Sequence, residues 1–231
     1  MKKKDTRYFN FPIQLLHGFL DDTPAVLKNI ISYSLYSHAI SLDCHEYNIE
    51  NAMNVAAKFH KASLRDFQAT YDRGMELYDS LPQNSPKCGI NTTTYWDFRK
   101  NHKSEFEKVA LLAFLSIKSI LGKKPYCKIT NEFFIARMDG KIKTCEQSEI
   151  SPALQKYCKE YRLNKIKNNL KLKWYLVTYG RRMRGFYVAF DMLLEDLILH
   201  AEMNREKNLK KKLKTEEDIA LKKALERIRA E

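Results

Sequence analysis

The stretch "WYLVTYGRRMRGFYVAF", residues 174–190, leaves the chain the least conformational freedom. Two runs of apolar and aromatic residues flank a polar centre, Gly-Arg-Arg-Met-Arg-Gly, and their alternation has the period of a strand rather than a helix. Gly180 and Gly185 bracket the centre and relax its dihedral limits, so the stretch predicts a β-hairpin with Arg181, Arg182 and Arg184 at its tip. Alternation places Tyr175, Val177 and Tyr179 on one face and Trp174, Leu176 and Thr178 on the other. The rest of the chain reads as helix: seven glycines and six prolines in 231 residues are too few for a many-turned β fold. The expected class is mainly α (α+β).

Charge is concentrated in the same region. The net charge is +13, and residues 151–190 hold ten bases against the single acid Glu160, a net of +9. The remaining 191 residues hold 31 bases and 27 acids, a net of only +4. A solvated helix face usually mixes both signs, whereas a field of one sign suits a polyanion, whose counterions are released on binding.

The first half reads as helices joined by short loops. Thr23 supplies an N-cap and Pro24 the first helical position, followed by Leu27, Ile30, Ile31, Ser34, Leu35 and His38 at helical spacing. A second helix is expected over Ile49 to Lys61, with Ile49, Ala52, Met53, Ala56, Phe59 and His60 on one face. Ser63 can cap a third, along which Leu64, Phe67, Tyr71, Met75 and Tyr78 recur. "LPQNSPKCGINTTT", residues 81–94, gathers Pro, Asn, Ser and Gly and marks the best interior boundary.

The second half carries stronger punctuation. "SEFE", 104–107, is a capping box opening a helix whose stripe is Phe106, Val109, Ala110, Ala113, Ile117, Ile120 and Leu121, ended by Gly122 and Pro125. "YCKIT", 126–130, is short and β-compatible, and Thr130 can cap "NEFFIARM", which Asp139-Gly140 terminates. From Ser151-Pro152 a long helix is predicted through Leu172. Ile150, Leu154, Tyr157 and Tyr161 keep one phase and Leu163, Ile166 and Leu170 a shifted one, which predicts a bend or break near Arg162. After the hairpin, Phe190, Leu193, Leu194, Leu197, Ile198 and Ala201 are expected to face the core. From Arg205 the tail holds ten bases and six acids and reads as a charged helix with a thin stripe, Leu221, Leu225 and Ile228. The expected organisation is therefore a helical region over 1–92, a mixed domain over 93–203 and a charged tail over 204–231.

Helix, short strand, helix, helix, strand, basic turn, strand, helix: this order over 104–202 resembles the winged-helix DNA-binding superfamily. "SEFEKVALLAFLSIKSIL" matches its first helix, "YCKIT" the first strand, "NEFFIARM" the second helix and "SPALQKYCKEYRLNKIKNNLKL" the third, while "WYLVTY" and "FYVAF" flank the wing "GRRMRG". The link from Gly140 to Ser151 is longer than the turn of a compact helix-turn-helix. The resemblance implies a third helix in a major groove and a wing on the flanking groove or backbone. The residues matched to those roles are Lys156, Lys159, Arg162, Asn164, Lys165, Lys167, Asn168, Lys171 and Lys173, with Arg181, Arg182 and Arg184 on the wing. Lysines and arginines anchor phosphates, and asparagines can pair bidentately with adenine.

Other chemistry has little support. Tyr157 and Tyr161 are spaced like the tyrosine pair of nicking initiators but lack its His-hydrophobic-His motif, so core packing is expected. His38, Cys44 and His45 have no second pair at zinc spacing. His17 and His60 fall in apolar stripes and read as satisfied core histidines. Neither a phosphate-binding glycine loop nor a Gly-x-Ser-x-Gly elbow occurs. The five cysteines contain no Cys-x-x-Cys and read as reduced thiols of a cytoplasmic protein. The longest apolar run, the thirteen residues Val109 to Leu121, is short for a membrane span, and "MKKKDTRYFNF" is not followed by the apolar segment of a signal peptide. The expectation is a non-enzymatic duplex-DNA-binding protein without cofactor or metal, loosely like replication-initiation or transcription-regulatory proteins of plasmids and phages. An RNA-binding protein using the same face, with Tyr175, Tyr179 and Tyr187 stacking on bases, and an adaptor or self-associating protein docking through its tail helix are the alternatives.

Overall fold

Two strands far apart in sequence join the ends of the first half. In the computed structural model, which describes residues 7–42, 48–62, 66–180 and 185–230, β1 (Tyr8–Pro12) pairs antiparallel with β2 (Lys87–Asn91), Tyr8 opposite Asn91 and Pro12 opposite Lys87. Phe9 and Phe11 point into the core from β1, and Cys88 and Ile90 from β2. β2 thus lies inside the stretch read as the interior boundary, and only residues 81–86 connect it to the preceding helix. The side chain of Asn91 accepts the Thr93 N–H and starts α4 (Thr92–Lys100) at once.

Between these strands lie α1 (Thr23–Ser41), α2 (Ile49–Phe59) and α3 (Phe67–Ser80). The caps of α1 and α3 are aspartates. Asp22, not Thr23, accepts the Ala25 N–H at 2.9 Å, because Thr23 is buried and donates its hydroxyl to the Phe19 carbonyl at 2.6 Å; Pro24 becomes the second helical residue. Asp66 caps α3 by accepting from Ala69 N–H; Ser63 and Leu64 lie outside the described residues. α1 packs against α2, α3 and β1 and buries Val26 and Tyr33 as well as the predicted Leu27, Ile30, Ile31 and Leu35. A Cβ on Gly74 of α3 would meet the Ser32 carbonyl oxygen of α1 at 2.6 Å, so glycine is what lets these helices approach so closely. α2 ends at an exposed Phe59, which therefore does not join the buried face of Ala52, Met53 and Ala56.

The centre of the second half is α5 (Glu105–Leu121). Its capping box forms in both directions: Ser104 Oγ accepts from Glu107 N–H, and the Glu107 carboxylate accepts from Ser104 N–H. The predicted stripe widens, since Leu111, Leu112 and Leu115 are buried too, and the helix is packed by β2, β3 (Tyr126–Ile129), α6 (Asn131–Met138) and α8 (Glu160–Trp174). Gly122 closes α5 at φ +55°. Thr130 caps α6 as expected, accepting from Phe133 N–H at 3.1 Å. Gly140 follows α6 at φ +76°, and a Cβ there would lie 3.1 Å from the Gln14 and Ile13 carbonyl oxygens, so this turn sits directly on the segment after β1. Although the link from Gly140 to Ser151 is long, Asp139 Oδ2 accepts the Ser151 N–H at 3.2 Å and holds its two ends together.

The long helix predicted from Pro152 to Leu172 is two helices. α7 (Pro152–Gln155) ends in a turn, and α8 begins at Glu160 after an extended Lys159. The break precedes Arg162 and resolves the two apolar phases, because one straight helix could not bury Leu154 together with Leu163, Ile166 and Leu170. Tyr161 is then 78% exposed, which corrects its assignment to the core, while Tyr157 is half-buried.

The hairpin forms over a shorter span than predicted. β4 (Val177–Tyr179) pairs with β5 (Phe186–Ala189), which also pairs with β3, giving the antiparallel order β3-β5-β4. Trp174 remains in α8, held by its ring 4.1 Å from that of Phe114, and Tyr175 ends the helix at φ +54° with its N–H on the Leu170 carbonyl. Neither belongs to a strand face. Gly185 has φ +97°, and a Cβ there would fall 2.7 Å from the Ile129 carbonyl oxygen, so only glycine fits where β5 enters beside β3. α9 (Leu194–Ala230) is one helix of 37 residues, running unbroken through the expected boundary at 203/204. Leu197 and Ala201 bury against the sheet, whereas Leu193 and Leu194 are exposed because the helix only begins there. Leu221 and Leu225 are exposed, and Ile228 lies outside the described side chains. The whole is mainly helical with two small antiparallel sheets, and a continuous core includes residues from both halves. Among the described residues no helix is long and apolar enough to cross a membrane.

Candidate nucleic-acid interface

α8 is pinned by Leu163, Ile166 and Leu170, all buried. That fixes the opposite row, Tyr161, Lys165, Asn168 and Leu172, which recurs at i, i+4, i+7 and i+11 and is exposed throughout. Arg162, Asn164, Lys171 and Lys173 are exposed along its flanks, and Lys159 stands at its entrance. Glu160, the acid of the region, occupies the first turn and Lys171 and Lys173 the last, each sign at the helix end whose partial charge it complements. Among the described residues no carboxylate lies within ion-pair distance of Lys159, Arg162, Lys165, Lys171 or Lys173.

Two of the predicted contact residues are committed elsewhere. Lys156 pairs with Glu105 of α5, the same carboxylate oxygen that accepts the Tyr157 hydroxyl at 2.7 Å. The ammonium first, and then the tyrosine, hold the Glu105 carboxyl below its ordinary range. Burial and this carboxylate push the Tyr157 hydroxyl up to about 12. Lys167 lies beside the buried row: its Nζ donates to Asn131 Oδ1 at 2.9 Å and sits 3.7 Å from the Phe186 ring centroid. Burial is the main cause that lowers its pKa to about 8. It joins α8 to α6 and β5 and does not face outward. Two further cations lean back onto the protein. Arg162 donates to the Lys156 carbonyl at 3.1 Å, and Lys165 lies 5.2 Å over the Phe106 ring.

Arg181, Arg182 and Arg184 lie outside the described residues. On either side of them Tyr179 faces Tyr187 across the hairpin, and the Tyr179 hydroxyl bonds the Glu202 carboxylate at 2.8 Å. Sequence reasoning missed the cleft beside this end of the hairpin. It has a volume of about 820 Å³ and is lined by Lys128, Tyr179, Tyr187, Arg205, Leu209 and Lys212 among others, side chains from segments too distant for any local pattern to associate. It also missed the exposed apolar groups of α8, which the spacing of Leu163, Ile166 and Leu170 would have revealed if continued around the helix.

The two histidines read as satisfied core residues differ from that expectation. His60 is buried, with Nε2 3.1 Å from His38 Nδ1, but its own Nδ1 has no partner among the described residues, so it is a core histidine only half satisfied. Burial first, then His38 and Arg7, lower its pKa to about 4. His17 is not a core residue: its ring is exposed, with Nδ1 3.4 Å from Asp139 Oδ1. Cys44 and His45 lie outside the described residues. Among the described residues no group of three or more His, Cys, Asp or Glu could hold a metal ion. No protein-family model, curated protein or solved structure matches this chain.

Proposed function

We propose that this chain is a non-enzymatic, cytoplasmic duplex-DNA-binding protein in which residues 93–203 act as a winged-helix module, with α8 as the helix that enters the major groove. The observation that carries the reading is the outward side of α8, where cations and asparagines stand exposed without a pairing carboxylate among the described residues. The element sequence α5, β3, α6, α7, α8, β4, β5 supports it, as does the attachment of the hairpin strands to β3 through β5. A role in replication initiation or transcription regulation of a mobile element rests on the resemblance alone.

The test is salt dependence. Each phosphate contact contributes about −0.9 to the slope of log affinity against log salt. Replacing Lys159, Lys171 and Lys173 with alanine is expected to weaken duplex binding and flatten that slope, and replacing Arg181, Arg182 and Arg184 should do the same. Slopes unchanged in both triple variants would remove α8 and the hairpin from the interface. A single-stranded RNA target is the second reading, favoured by Tyr175, which is 79% exposed at the end of α8. Competition between duplex DNA and single-stranded RNA separates the two.

A further inference from the structure

The three most exposed large apolar side chains of the described chain, Tyr161, Leu172 and Tyr175, all belong to the basic helix or the residue that ends it. Leu172 is 82% exposed at the far end of the outward row. From Tyr161 to Leu172 that row rises eleven steps, about 16.5 Å along the axis at 1.5 Å per residue, long enough to lie along roughly five base pairs of a groove at 3.4 Å each. The chemistry along it is selective. An asparagine amide matches the N7 acceptor and N6 donor of adenine, and an aliphatic group matches the methyl of thymine. Guanine is best read by a free arginine or lysine and cytosine by a carboxylate. Here Arg162 is turned to the Lys156 carbonyl and Lys165 to the Phe106 ring, while Lys159, Lys171 and Lys173 stand at the entrance and flanks, and Glu160 in the first turn, all off the outward row. Asn164 and Asn168 are exposed, and Leu172 stands one turn beyond Asn168 on the same row.

From this we infer that α8 selects A·T base pairs in the major groove, with Asn168, assisted by Asn164, reading adenine and Leu172 covering the thymine methyl. The inference rests on the duplex-DNA reading proposed above. An exposed leucine is a standing cost in water and gains by closing on a methyl group, whereas it gains nothing against the polar edge of a G·C pair.

The experiment measures binding of the full chain to duplexes of equal length built from A·T, G·C or inosine·cytosine pairs, and to an A·T duplex with uracil in place of thymine. Inosine·cytosine presents the major-groove edge of G·C and the minor-groove edge of A·T. The A·T duplex is expected to bind roughly tenfold or more tightly than G·C, with inosine·cytosine behaving like G·C. Uracil should weaken binding by the native chain severalfold and leave Leu172→Ala unaffected, while Asn168→Ala should narrow the gap between A·T and G·C. Both side chains are exposed, so these variants fold, and a Lys171→Ala control should lower affinity for all duplexes alike. Equal binding of A·T and G·C overturns the inference alone. Inosine·cytosine bound as tightly as A·T moves the selectivity to the minor groove and also overturns it. Absence of binding to every duplex at low salt overturns the DNA reading beneath it.

Discussion

Replacing Lys167 with methionine separates a structural lysine from a DNA-contacting one. The native ammonium is largely surrounded by protein, and its pKa falls from an ordinary 10.5 to about 8. At about 1.36 kcal/mol for each tenfold change in proton affinity, that depression corresponds to roughly 3 kcal/mol. Water reaching the half-buried amine screens it, leaving about 1–2 kcal/mol. The sign follows from proton counting: between pH 8 and 10.5 the unfolded chain holds a proton at this site that the folded chain has released, so native stability rises with pH across that window. Below pH 8 the folded protein carries the full cost of a buried charge. Methionine keeps the aliphatic length over Phe186 and loses the bond to Asn131 Oδ1, whose residue is partly exposed and can be hydrated instead. Lys167→Met is therefore expected to be about 1 kcal/mol more stable than the native chain at pH 7, the difference closing by pH 10. Urea denaturation at the two pH values measures this. DNA affinity and its salt slope should not change. A variant less stable at pH 7, a difference that stays constant with pH, or a salt slope reduced by one phosphate would each refute the placement of Lys167 inside the fold.

Two further outcomes test the packing. Gly74→Ala sets a methyl group against the Ser32 carbonyl and the Tyr36 Cβ, the latter at 2.7 Å, and should lower stability by about 1–3 kcal/mol in denaturant titration, since α1 and α3 must separate to admit it. The low pKa of His60 means that the unfolded chain takes up a proton near pH 6.5 that the folded chain refuses until about pH 4, so stability should fall on acidification across that range. His60→Phe, which preserves the stack on Phe9, should shrink this fall, and an identical pH profile in the variant would contradict the burial of a neutral imidazole.

The sequence alone determined what depends on neighbours within a turn or two. The Ser104 box, the Thr130 cap and the glycine ends at Gly122 and Gly140 are local hydrogen-bond and dihedral requirements, readable wherever the residues stand in order. The same holds for the inward row of α8 and for the pairing of the strands that follow it, since periodicity and alternation are local too. Only the tertiary structure decided which partner each surface met. β2 looked like part of a boundary because its pairing strand lies some eighty residues earlier. Trp174 looked like strand until Phe114 held it in the helix. The break before α8 arises because Leu154 and Leu163 must both reach one core. Lys156 and Lys167 were indistinguishable from their exposed neighbours by charge alone, and became structural only because folding brought Glu105, Asn131 and Phe186 beside them. Charge type is written residue by residue, whereas burial and pairing belong to groups that meet only when the chain is folded.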